Sequence, residues 1–64
     1  MSIRPELSSM STALAELGSR IGRLGDELAG TDRDDLSNAL YEVERSLTAA
    51  QRRLTKVIDN LERG

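Results

Sequence analysis

The chain has no cysteine and no histidine among its 64 residues. Disulfides and thiolate sites are therefore excluded, and the common protein ligands for zinc are gone. The same two absences remove most pairings of an activated nucleophile with a general base. Ser, Asp, Glu, Lys and a single Tyr remain as reactive side chains, and their spacing matches no catalytic arrangement. The sequence accordingly predicts a non-enzymatic protein with no catalytic residue, metal ligand, cofactor or small-molecule substrate.

Tryptophan and phenylalanine are absent too, and Tyr41 is the only aromatic residue. Neither sign of charge dominates. Nine basic and eleven acidic residues are mixed along the chain for a net charge of −2, a balance that favours solubility and does not by itself point to nucleic acid or membrane. No apolar run approaches the ~20 residues needed to span a bilayer. The opening MSIRPELSSM has no continuous apolar core and does not read as a secretory signal. A cytoplasmic protein without membrane contact is the expectation.

What is present is a strict seven-residue apolar repeat. Ile3, Leu7, Met10, Leu14, Leu17, Ile21, Leu24 and Leu28 alternate spacings of four and three, and so do Leu36, Leu40, Val43, Leu47, Ala50, Leu54, Val57 and Leu61. No strand carries such a period; it is the pattern of a coiled-coil seam with apolar a and d positions. Positions a are then 7, 14, 21, 28 and 40, 47, 54, 61, and positions d are 3, 10, 17, 24 and 36, 43, 50, 57. Ala50 is the one thin member of these rows.

Between the two runs lies LAGTDRDDL. Gly30 is placed to end the first helix in a left-handed conformation. Thr31 or Asp32 can open the second as N-cap, with Asp34 or Asp35 three residues on. Ser2 can cap the first helix, Pro5 is tolerated in its first turn, and Gly64 can close the second. A connection this short makes neighbouring helices antiparallel. The predicted fold is all-α: one domain over residues 1–64, an antiparallel two-helix hairpin with helices 3–29 and 32–63 and a turn at 30–31. Pairing 28 with 36 aligns 21 with 43, 14 with 50 and 7 with 57, so every layer joins an a residue to a d residue.

Glycine interrupts the first helix at Gly18, Gly22 and Gly25, at about 1 kcal/mol each relative to alanine. Ser8, Ser11, Ala15, Gly18, Gly22, Gly25 and Ala29 form a second heptad stripe at positions b and e, made wholly of small residues. Such a stripe lets another helix come unusually close, and the charged neighbours Arg20, Arg23, Asp26 and Glu27 put that approach in water. Tyr41, at position b and level with Gly22, is expected to cover this groove in its own hairpin or in a partner's. Ile58, at position e, extends the same side. A lone hairpin of this size buries little apolar surface. The sequence therefore predicts association through this stripe, as a homodimer forming a four-helix bundle or by docking on a helical protein partner.

A second surface is basic. Arg45, Arg52, Arg53 and Lys56 lie on the outer side of the second helix, and Arg20 and Arg23 are expected near the same edge. Such a face suits phosphates or an acidic partner. In length and hairpin plan the chain resembles the Rop type of plasmid RNA-binding dimer, a likeness of architecture without a shared residue motif. That resemblance implies a nucleic-acid binder using the Arg face as the alternative to a protein interaction and assembly module. In outline the chain is also similar to secreted WXG-type hairpins, but its turn reads AGTDRD and contains no Trp-x-Gly.

Overall fold

A computed structural model describes residues 3–63, with only the backbone of Glu62. It contains two helices, α1 (Ile3–Leu28) and α2 (Asp34–Arg63), packed against each other as an antiparallel hairpin. The expected caps at Ser2 and Gly64 lie outside the described residues. Pro5 sits in the first turn of α1, where its missing N–H would have had no intrahelical partner.

The turn is built by hydrogen bonds that also set the helix ends. Gly30 has φ of +79°, the left-handed conformation that costs a residue without Cβ least. The Gly30 N–H donates to Asp34 Oδ1 at 2.6 Å. Thr31 donates both its N–H and its hydroxyl to the Leu28 carbonyl, at 3.2 and 2.6 Å, and its Oγ1 accepts the Arg33 N–H at 3.1 Å. The expectation that Thr31 or Asp32 opens the second helix is thereby corrected. Thr31 closes α1 instead, and the Arg33 carbonyl accepts the first bonds of α2, from Leu36 and Ser37. The second helix therefore starts at Asp34, two residues later than predicted, and α1 ends one residue earlier.

The larger correction concerns the seam. Between the helices lie the a rows together with the e rows: Leu7, Ser11, Leu14, Gly18, Ile21, Gly25 and Leu28 against Ser37, Leu40, Glu44, Leu47, Gln51, Leu54 and Ile58, all buried or half-buried, while Leu61 at the far end of the a row is 45 % exposed. The d residues predicted to share that seam are turned out. Ile3, Met10, Leu17 and Leu24 on α1 and Leu36, Val43 and Val57 on α2 are between 39 and 52 % exposed. The reason is the glycines. Without side chains at positions 18 and 25, α2 rides over the e row, and each helix rolls by about 50° from the a/d geometry, half of the 100° between successive residues. Among the described residues no apolar side chain is buried. The fully enclosed groups are the three glycines and Ser37, which is 2 % exposed. Among the described residues no helix is long and apolar enough to cross a membrane.

Candidate functional site

Two surfaces of the hairpin bear on binding, and the glycine stripe decides how they are divided. Gly18, Gly22 and Gly25 face the chain's own second helix. A Cβ added at Gly18 would lie 3.9 Å from Leu47 Cβ, and one at Gly22 would lie 2.5 Å from Glu44 Oε2. At Gly25 it would meet the Tyr41 ring at 2.8 Å. The close approach that the stripe permits is thus taken up within the hairpin. Ser8, Ala15 and Ala29, the stripe's other members apart from half-buried Ser11, stay exposed beside this contact.

Tyr41 is half-buried, its ring over Gly25 rather than level with Gly22 as the register predicted. Its hydroxyl donates to Asp26 Oδ1 at 2.5 Å. Donation to a carboxylate favours the protonated phenol, so the Tyr41 pKa rises above its ordinary value. The Asp26 bond is the main cause, with desolvation next and Ser37 acting weakly the other way. Ser37 reaches across the hairpin from α2 and donates to the Gly25 carbonyl at 2.7 Å. Ser37, Tyr41 and Asp26 thus tie the turn end of the two helices together. Sequence reasoning missed Ser37; its place at position e, one heptad before Glu44, was the available signal.

The second surface is the outward d row. In an antiparallel pair whose a and e positions face inward, the d rows of both helices fall on the same flank. Ile3, Met10, Leu17 and Leu24 therefore run alongside Leu36, Val43, Ala50 and Val57. Near the middle of this flank is an apolar depression lined by Met10, Ala13, Leu14, Leu17 and Leu54. A contiguous apolar strip on a hairpin without a buried core is what an interaction surface looks like.

The basic residues do not form one face. Arg20, Arg23, Arg45, Arg52, Arg53 and Lys56 are all exposed, but with a and e inward, positions c, f and g point away from the opposite helix. Arg20 and Arg23 line a shallow surface dip with Leu24 and Glu27, all on α1. Lys56 lines another with Asp59, Asn60 and Arg63, all on α2. The expectation that Arg20 and Arg23 lie near the edge carrying Arg45, Arg52 and Arg53 is corrected: the two groups occupy opposite outer sides.

Among the described residues no cluster of three or more acidic side chains is arranged to hold a metal ion. No family model matches this chain, and no curated protein or solved structure matches it either.

Proposed function

We propose that this protein is a non-enzymatic interaction and assembly module that self-associates through its outward d row, two hairpins forming a four-helix bundle. The observation that carries this reading is the split between the two apolar rows. One row is spent on the hairpin seam; the other is large, continuous and exposed, with seven of its eight members bulky. A second copy suits the available area. The hairpin is 50 Å long and 15 by 12 Å across, so the flank can meet a second copy along its whole length. It also suits the energetics, because a single hairpin without an enclosed apolar side chain lacks the burial that offsets chain entropy.

Sedimentation equilibrium across protein concentration tests the reading. The expected result is a dimer at micromolar concentration whose affinity changes little between low and high salt. Leu17→Glu and Val43→Glu, which place charges on the flank and leave the a/e seam untouched, should each shift the equilibrium to monomer. Steep weakening with salt would instead point to charge pairing between the copies as the source of affinity. A stable folded monomer at hundreds of micromolar would overturn self-association. The split of the basic residues between two outer sides gives the nucleic-acid alternative no comparable surface.

A further inference from the structure

Resting on that self-association, we infer that Met10 is an oxidation site that governs it. Peroxide converts the Met10 thioether to a sulfoxide on the separated hairpin, and the oxidised chain no longer pairs through its d row. The chain carries sulfur only at Met1 and Met10, and it has no Cys, Trp or His. Met10 is therefore the one side chain among the described residues that peroxide oxidises readily. It stands in the outward row at 46 % exposure, and it lines the apolar depression together with Ala13, Leu14, Leu17 and Leu54. The other bulky members of that row are Leu, Ile and Val, hydrocarbons that peroxide leaves untouched.

The step balances with hydrogen peroxide as the sole co-reactant. A lone pair on Met10 Sδ attacks one peroxide oxygen, the O–O bond breaks, and the second oxygen leaves as water after proton transfer. The thioether is oxidised by two electrons and the peroxide reduced by two. The product keeps the length of the side chain but turns its flexible apolar end into a strong S–O dipole. Every other side chain lining the depression is apolar, and a second copy brings its own d row of Leu, Ile and Val. Closing the dimer would bury the sulfoxide oxygen without a donor, a cost absent in the monomer, where water solvates it. Pairing in turn shields the thioether, because the flank that carries it is covered in the dimer. The dissociated chain is thus oxidised first and then held apart.

Two measurements test this. In the first, hydrogen peroxide is added to the wild-type chain until peptide mass spectrometry places an oxygen on Met10, and dimer affinity is read by sedimentation equilibrium. The Kd should rise about tenfold and return to its starting value after treatment with methionine sulfoxide reductases. Peroxide should leave it unchanged in Met10→Leu, which keeps the apolar volume. In the second, the rate of Met10 oxidation is followed below and above the dimer Kd. It should fall as the wild-type dimer fills, and it should not vary with concentration in Val43→Glu. That rate is set before any product forms, so it is independent of how the oxidised hairpin folds. An oxidised wild-type chain that pairs as tightly as the unoxidised one, or a wild-type oxidation rate that stays constant across the Kd, would overturn the role of Met10 and leave self-association standing. A wild-type chain that never dimerises would overturn both.

Discussion

Ser37 donates its hydroxyl to the carbonyl of Gly25 across the hairpin at 2.7 Å, so α2 is bonded directly to the backbone of α1. The same carbonyl accepts the Ala29 N–H at 3.0 Å, and the serine is almost wholly enclosed at 2 % exposure. Gly25, with no Cβ, leaves this carbonyl open to close approach by α2. Ser37→Ala removes the bond but leaves the carbonyl satisfied by Ala29. Chemical denaturation should then record a loss of about 1 kcal/mol, and an unchanged midpoint would mean that the contact contributes nothing.

The three glycines of α1 should respond differently to alanine. At Gly18 the new methyl meets Leu47 Cβ at an ordinary 3.9 Å, so the helix-propensity gain of up to about 1 kcal/mol should appear nearly whole. At Gly22 the obstacle is the carboxylate end of Glu44, which can swing outward, and Gly22→Ala should be close to neutral. At Gly25 the obstacle is the Tyr41 ring at 2.8 Å, held by its bond to Asp26. Overpacking there should exceed the propensity gain, for a net loss of about 1 kcal/mol. A different rank order in urea denaturation would contradict the packing described for the seam.

Tyr41, as the only aromatic residue, gives an unmixed phenolate titration by ultraviolet absorbance. Its pKa is raised in the folded state, chiefly by donation to Asp26. The unfolded chain titrates near the ordinary value of about 10. The bond's contribution to stability is therefore fully present below pH 10 and is lost as pH climbs through the higher folded value. The wild-type midpoint should lie above that of the urea-unfolded chain, and Asp26→Asn should bring the folded value down. Coincident folded and unfolded midpoints would show that the hydrogen bond is not maintained in solution.

Gly30 is the one residue described with positive φ, at +79°, and nothing lies within 4 Å of a Cβ built there. The cost of Gly30→Ala is thus conformational, about 1 kcal/mol for a non-glycine residue in the left-handed region. Gly30→Asn should lose less, since asparagine tolerates that region better. Equal losses for the two variants would indicate a steric obstacle rather than backbone strain.

The legible part of this protein was its periodic part. Leu7 through Leu28 and Leu40 through Leu54 announce two amphipathic helices without tertiary information, because a helix repeats its faces at a spacing that local sequence displays. Gly30 marks the turn for a similar local reason. The pairing of Tyr41 with the glycine groove also followed from register, and it missed only by one turn of α1. Less visible was which small-residue contacts would be internal. Thr31 and Asp32 are both competent N-caps, and only the bond from Thr31 back to Leu28 shows that the threonine serves the preceding helix.

The sequence by itself determined the number of helices, their lengths to within two residues, the site of reversal and the apolar rows available for packing, all consequences of local periodicity and backbone preference. Tertiary structure alone decided which rows meet. A heptad offers d and e as alternative neighbours of a, and the choice depends on how closely two backbones approach. That distance is set across the hairpin by Gly18 and Gly25 against Leu47, Tyr41 and Ser37, residues far apart in the chain. Rolling the helices onto the glycines closed the seam around the a and e rows and left the leucines and valines of the d rows outside.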